Sequence, residues 1–193
     1  MHGWYRQPNS PEWAGDCVEY LVFASDDAAT AGDEVGSRYW VQLWRPSITH
    51  VVPPSLGPKF CLWWLFHCFG VFRNRDYAVL LIREGDLVVH RSCIVPAYFR
   101  WPFMKADDCQ ISSTWTHPDY RGQGLATAGL VRAMRVCSRP GRRFWYVSRA
   151  ANSASISVCK KAGFSLVGEA RRTRRMGTSL LGQLIIDSEE PSF

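Results

Sequence analysis

A short glycine-rich turn between a predicted strand and a predicted helix is the part of the sequence best suited to chemistry. It lies in residues 111–126, which read ISSTWTHPDYRGQGLA. Gly122 and Gly124 let the backbone approach a ligand closely, and the N–H groups that open the following helix have no intrahelical acceptors. Because the helix dipole adds partial positive charge there, the segment predicts an anion site.

The same turn also has a purely structural interpretation, as a simple connection from strand to helix. Its spacing differs from two widespread phosphate-binding loops. It lacks the Gly-Lys-Ser/Thr ending of a nucleoside triphosphate loop and the wider Gly-x-Gly-x-x-Gly of a dinucleotide-binding turn. The turn alone is therefore not specific for one ligand.

The composition is that of one globular domain with an anionic partner. The 193 residues are 47% hydrophobic, and 23 Lys and Arg against 17 Asp and Glu give a net charge of +6. This content suffices to bury a core, and the charge suits a polyphosphate cofactor, a nucleic acid or a membrane surface. The seven cysteines include no Cys-x-x-Cys pair, so we expect neither a disulfide framework nor a metal site.

The sequence argues against two of these partners, a membrane and a nucleic acid. The N-terminus is too polar for a secretory signal, and the longest apolar run, residues 61–72, is about half a membrane span. We therefore expect a cytoplasmic protein without a membrane span. Nucleic acid is not expected as a partner, because the arginines are scattered apart from residues 171–175. That cluster is either a solvated turn or a contact to phosphate.

The periodicity of the chain predicts a mixed α/β domain in residues 37–193, preceded by an irregular segment, 1–36, with one short strand at 18–24. A buried helix is predicted at 59–73, and a Glu-Gly-Asp turn joins 77–82 and 87–95 as an antiparallel hairpin. The other predicted elements are strands at 38–44, 108–116, 144–148, 164–168 and 180–187, a helix after Pro118, and a helix capped by Asn152.

Two blocks of sequence, in the same order, resemble the GNAT (Gcn5-related N-acetyltransferase) superfamily. The stretch from Arg121 to Ala126, RGQGLA, is similar to the family's Q/R-x-x-G-x-G/A pyrophosphate loop, and Asn152-x-x-Ser155 with Lys160-Lys-Ala-Gly-Phe164 is similar to its second helix and turn. The resemblance covers residues 77–187. It implies an α/β (α+β) fold with helices on both faces of a mixed, mostly antiparallel twisted sheet, splayed between its fourth and fifth strands.

The resemblance implies acetyl-CoA as co-substrate and gives roles to both blocks. A bulge in the fourth strand would free backbone N–H groups of Thr114, Trp115 and Thr116 to bind the thioester carbonyl and the pantetheine amides. The Asn152 side chain would also bind the pantetheine arm. The pyrophosphate would lie on the loop and helix start, formed by Arg121, Gly122, Gln123, Gly124, Leu125, Ala126 and Thr127.

Proton transfer in such a reaction has several candidates. Cys159 stands where many family members have a tyrosine that protonates the departing thiolate, and it is either that acid or a packing residue. A base that deprotonates the amine would be one of His90, His117, Asp107 and Asp108, each of which also has a structural interpretation. His67, within the predicted aromatic helix, is interpreted as a core histidine with its hydrogen bonds satisfied.

The acceptor is the least defined part of the expected reaction. Residues 90–104 and 110–120 resemble GNAT proteins of bacterial surface-polysaccharide pathways, which implies an amino sugar, including a nucleotide-linked one, as the small-molecule amine. Protein or peptide amines and small polyamines are alternatives. A CoA-binding domain without turnover and a non-catalytic anion-binding module are alternatives from other classes. The expected assembly is a monomer or a homodimer.

Overall fold

An eight-stranded open sheet forms the centre of the computed structural model, which describes residues 20–27, 35–53, 56–58, 60–173 and 182–187. The helices are α1 Phe60–Cys68, α2 Leu125–Val136 and α3 Ser153–Lys161, with a 3₁₀ turn at Pro118–Tyr120. The strands are β1 Tyr20–Ser25, β2 Trp40–Trp44, β3 Ala78–Glu84, β4 Leu87–Pro96, β5 Cys109–Thr116, β6 Phe144–Arg149, β7 Ser165–Arg172 and β8 Leu184–Asp187.

The sheet has the order β2-β3-β4-β5-β6-β1-β7-β8 and is antiparallel except between β5 and β6. The predicted hairpin is confirmed as β3 and β4. Strands β5 and β6 pair only at Cys109–Phe144 and Gln110–Trp145, so they diverge towards Thr116. The predicted fold class is therefore confirmed. The opening lies between β5 and β6, which are the fourth and fifth strands of the sheet counted from its β2 edge.

Strand β1 lies inside the sheet, between β6 and β7. The short strand predicted at 18–24 is confirmed here, although the sequence division placed it in an irregular segment ahead of the domain. Val22 and Phe23 are fully buried on opposite sides of the sheet. Because these side chains are buried, β1 belongs to the core even though it precedes the predicted domain boundary at residue 37.

Helices cover both faces of the sheet. Alternate residues of β3 divide between the faces: Leu80 and Ile82 pack on the side of α2 and α3, whereas Val79 and Leu81 pack on the side of α1. Because both faces are covered, this strand is a continuous apolar run rather than an alternating one. Among the described residues, no helix has the length and hydrophobicity of a membrane span.

Helix α1 is shorter and more exposed than the sequence predicts. It ends at Cys68, and of its nine residues only Phe60 is buried. Leu62 and Phe69 expose 50% and 78% of their surface. The prediction of a buried helix is wrong because α1 contacts the sheet through one side only. His67 is correspondingly half-buried, and its Nδ1 makes no hydrogen bond, so it is not a satisfied core histidine.

Candidate active site

A cavity of about 540 Å³ lies where β5 and β6 diverge. The end of β5, the glycine turn, the first turn of α2 and one side of α3 form its walls. Every residue predicted from the resemblance to bind the cofactor lines this cavity, with the exception of Gln123. The two sequence blocks, separate in the chain, thus border the same space.

Strand β5 carries a β-bulge beside the cavity. Arg91 pairs with Trp115 and Cys93 with Ser112, so two residues of β5, Ser113 and Thr114, oppose a single residue of β4. Ser113 has a φ of +50°, the left-handed region that a serine seldom adopts. The bulge turns the backbone at the unpaired end of β5, where the resemblance implies a bulge that frees N–H groups.

The glycine turn borders open space. Gly122 and Gly124 both have a φ of +78°, and a Cβ on either would meet no protein atom within 4 Å. The first intrahelical bond of α2 runs from Ala128 N–H to Gly124 O, at 3.0 Å, so the preceding N–H groups have no intrahelical acceptor. Arg121 and Lys161 add cationic side chains to the lining of the same cavity. Since donors, dipole and charge coincide with room for a ligand, this turn fits a pyrophosphate.

Asn152 caps α3 and also lines the cavity. Its Oδ1 accepts a hydrogen bond from Ser155 N–H at 3.1 Å, which confirms the predicted N-cap of α3. Among the described residues, the side-chain amide nitrogen makes no hydrogen bond, and the residue lines the cavity. The cap fixes the amide group in place, so its N–H donors remain available to a ligand.

The comparisons with known proteins agree with this geometry. The sequence matches the model of the acetyltransferase (GNAT) family over residues 38–164, which is more than half of the chain. The chain belongs to the GNAT family. Acetyl transfer from acetyl-CoA is the reaction of that family, and the cavity has donors placed for such a ligand. No curated protein matches the chain.

Solved structures share the fold at low sequence identity. A GNAT-family protein from Novosphingobium aromaticivorans matches with a TM-score of 0.52 and 16% identity, over 80% of this chain and 62% of its own. A GCN5-related N-acetyltransferase from Sphaerobacter thermophilus matches with a TM-score of 0.53 and 16% identity, over 80% and 50% respectively. This GNAT chain therefore spans between about half and two thirds of the length of these structures.

Gln123 is the predicted cofactor residue whose side chain turns away from the cavity. Its Oε1 accepts hydrogen bonds from Tyr39 Oη and Arg38 Nη2, both at 2.6 Å. Beside it, Tyr120 donates to Glu84, whose other oxygen is 3.4 Å from Arg38 Nε. The Gln123 side chain therefore ties the glycine turn to the chain just before β2. A role for its backbone N–H stays a prediction.

Cys159 does not reach the cavity. It is fully buried, and its Sγ donates to Ile156 O at 3.2 Å. Burial raises the pKa of this thiol to about 11. Of the two interpretations that the sequence leaves open, these contacts favour packing over proton donation.

Tyr146 is a site residue that sequence reasoning missed. It projects from β6 into the cavity wall, and its hydroxyl lies 2.7 Å from Ser155 Oγ. Burial raises the pKa of this tyrosine, so the hydroxyl stays protonated near neutral pH. Its position in the aromatic run FWYVS gives no sign of this role, because a core tyrosine would look the same.

His90 is enclosed between the sheet and α2. Its Nδ1 is 2.8 Å from Thr116 Oγ1 and its Nε2 is 2.9 Å from Ser92 Oγ. A Cβ on Gly129 of α2 would overlap the imidazole ring. Burial lowers the pKa of His90 to about 3, and the ring is fully buried. These contacts suit a neutral residue that positions Thr116 at the cavity rather than a base that reaches an amine.

Asp107 and Asp108 lie far from the cavity. They precede β5, whose eight residues separate them from its open end by about 25 Å. Asp108 is buried, and one carboxylate oxygen accepts from Lys105 N–H and Trp145 Nε1–H, both at 2.9 Å. This aspartate therefore serves the loop before β5.

His117 is the base candidate that lies beside the cavity. Its ring packs against Trp115 and Tyr120, with centroids 5.8 and 5.5 Å away, and both of these residues line the cavity. The side chain is 30% exposed. Its Nδ1 accepts a 3.4 Å hydrogen bond from Asp119 N–H, which leaves Nε2 available for proton transfer.

No cluster of three or more His, Cys, Asp or Glu side chains suited to a metal occurs in the described parts.

Proposed function

We propose that this chain is an N-acetyltransferase that moves an acetyl group from acetyl-CoA directly to a primary amine. The observation that carries the proposal is the shared cavity of the bulged β5 edge, the glycine turn and Asn152. Family membership supports acetyl transfer. An amino sugar, which the sequence resemblance implies, is one member of the proposed acceptor class and receives no separate support from the comparisons.

Different residues of the cavity would bind different parts of acetyl-CoA. The turn at Gly122 and Gly124, with Arg121, would hold the pyrophosphate of acetyl-CoA, which supplies the activated acetyl group when bound. The unpaired edge of β5 at Thr114–Thr116 would direct N–H groups at the acetyl carbonyl. Because these donors are fixed by the bulge, they are in place before negative charge develops on that oxygen.

Two residues would take part in proton transfer, one as acceptor and one as donor. The amine must lose a proton before it attacks, and His117 is the proposed acceptor for it, directly or through water. Tyr146 would hold a proton at its Oη on the cavity wall, where a departing thiolate can take it. The raised pKa of this tyrosine ensures that the proton is present at neutral pH.

The proposal is tested by adding acetyl-CoA and following thermal unfolding. A ligand that binds only the folded state stabilises it by about 2.7 kcal/mol at a hundredfold excess over Kd, which raises the Tm of a chain of this size by roughly 5–10 °C. AMP, which lacks the pantetheine arm, is the control ligand and should raise the Tm less. Absence of any shift at millimolar acetyl-CoA would contradict the proposal.

Turnover is then followed as release of free CoA thiol in the presence of primary amines. Saturable, amine-dependent release is expected. Binding without release across amino sugars, peptides and polyamines would support the alternative of a CoA-binding domain that has no turnover. The buried Cys159, in place of the family's tyrosine, is the observation that keeps this alternative open.

Tyr146→Phe is expected to lower kcat by about a hundredfold and to leave the KM for acetyl-CoA nearly unchanged, because only the transferable proton is lost. Cys159→Ala is the matched variant and should keep kcat within about threefold, since the thiol has no access to the cavity. Steady-state kinetics with both variants makes the comparison. A large loss of kcat in Cys159→Ala and none in Tyr146→Phe would reverse the assignment.

A further inference from the structure

Arg91 of β4 contacts two aromatic rings on the α1 side of the sheet. Its strand position faces Trp115 of β5, and its Cζ lies 5.2 Å from the centre of that indole ring. The Cζ also lies 5.7 Å from the centre of the ring of Phe60, the first residue of α1. Cation–π contacts with both rings fix the position of the guanidinium.

This guanidinium has no acceptor within the parts of the chain that the structure describes. Its Nε is buried and makes no hydrogen bond, and no ion pair involves the side chain. Two arginines that are more deeply buried are satisfied within the chain. Arg83 donates to Gln42 Oε1 and Asp86 O, and Arg142 donates to an aspartate and two carbonyls. Because burying an unpaired donor costs free energy, the unsatisfied Arg91 indicates a missing ligand.

The position of Arg91 relates it to the acyl transfer. His90 and its partner Thr116 direct their side chains towards α2, so the next pair along, Arg91 and Trp115, directs its side chains to the opposite face. Trp115 lines the cavity and also carries the Arg91 guanidinium. A molecule that approaches from the α1 side would therefore meet the arginine next to the β5 edge proposed to hold the acetyl group.

We propose that Arg91 binds an anionic group, a carboxylate or a phosphate, on the amine that accepts the acetyl group. A guanidinium whose position is fixed by cation–π contacts presents its N–H fork for bidentate recognition of such a group. The acceptor is then an amine with an anionic group a short distance from the nitrogen, and it enters from the α1 side. This inference rests on the proposed acetyltransferase function.

The test compares amines in matched pairs that differ only in the anionic group. Suitable pairs are amino acids with their amides, and glucosamine 6-phosphate with glucosamine, at saturating acetyl-CoA with thiol release as the readout. In at least one pair, the anionic member should have a kcat/KM at least about tenfold higher, which corresponds to one charge-assisted hydrogen bond. A carboxylate preference and a phosphate preference distinguish the two sources of the anion.

Arg91→Gln should abolish that preference by raising the KM for the anionic amine about tenfold or more, with the affinity for acetyl-CoA unchanged. Arg91→Lys should recover part of it, because the charge returns without the fork. Arg45→Gln removes the same charge from an exposed position and is the matched control. Equal use of both members of every pair, or a preference that survives in Arg91→Gln, would overturn the proposal.

If no amine in the panel is acetylated, binding replaces turnover as the readout. Bisubstrate compounds that link CoA through an S-acetyl bridge to each member of the amino acid pair and of the glucosamine 6-phosphate pair are measured by calorimetry. Tighter binding of the anionic compound of either pair in the wild-type protein, lost in Arg91→Gln, supports the inference. Equal affinities within both pairs overturn it. Failure of acetyl-CoA itself to bind would instead contradict the proposed function, so the two failures are distinct.

Discussion

Replacement of Asp76 by asparagine is expected to lower the free energy of unfolding by about 3–5 kcal/mol, because it leaves a buried arginine without its counter-charge. Asp76 is 6% exposed, and its Oδ2 lies 2.6 Å from Nη2 of Arg142, whose side chain is completely buried. Arg142 is also held by Cys137 O and Asp107 O, at 2.6 and 2.7 Å. It therefore cannot turn towards solvent when the aspartate loses its charge.

The measurement is chemical or thermal unfolding, in which a loss of this size lowers the Tm of a chain of this length by roughly 10 °C. Arg139→Gln is the matched control. Its Nη2 also contacts Asp76, at 2.9 Å, but its side chain is 58% exposed. Removal of an exposed partner should cost no more than about 1 kcal/mol. If Asp76→Asn costs no more than this control, the buried pair does not stabilise the fold as argued.

The parts of the fold that could be predicted from the sequence are those determined by neighbouring residues. The β3–β4 hairpin follows from the Glu-Gly-Asp turn between two apolar runs, and the start of α3 follows from Asn152 as N-cap. The glycine turn is of the same kind, since positive φ angles and free helical N–H groups are local properties. These local features are also the ones that carry the family resemblance.

What could not be predicted depends on contacts between distant residues. Strand β1 becomes part of the core because β6 and β7 pair with its two edges, about 120 to 150 residues further along the chain. The exposure of α1 depends on how much of the helix the sheet covers, which its uniformly apolar sequence does not reveal. In both cases the sequence pattern predicts the strand or helix, but not the elements that pack against it.

The candidate site divides in the same way. The residues that line the cavity can be predicted because they lie in two continuous blocks, whereas the residues proposed for proton transfer depend on which side of the sheet or helix they occupy. His90 is enclosed by a glycine in α2, 39 positions away, and Cys159 turns into the core while Tyr146 faces the cavity. A residue type suited to proton transfer is therefore not sufficient evidence without its orientation.

The second large effect is expected from Gly124→Val, which should weaken acetyl-CoA binding by at least about a hundredfold. A Cβ at this position meets no protein atom within 4 Å, so the valine side chain would project into the open space beside the turn. In the proposed complex the pyrophosphate lies there, in hydrogen-bond contact with the first N–H groups of α2. Loss of two charge-assisted hydrogen bonds accounts for an effect of this size. Calorimetric titration with acetyl-CoA measures it.

Backbone strain is the competing explanation, because valine at a φ of +78° costs about 1–3 kcal/mol whether or not a ligand binds. Gly141→Val separates the two effects. Gly141 has a φ of +74°, its Cβ would also meet nothing within 4 Å, and it lies outside the cavity lining. Both variants should lose similar stability, but only Gly124→Val should lose affinity. Wild-type affinity for acetyl-CoA in both variants would mean that this turn does not hold the pyrophosphate. The same loss of affinity in both variants would mean that backbone strain alone weakens binding.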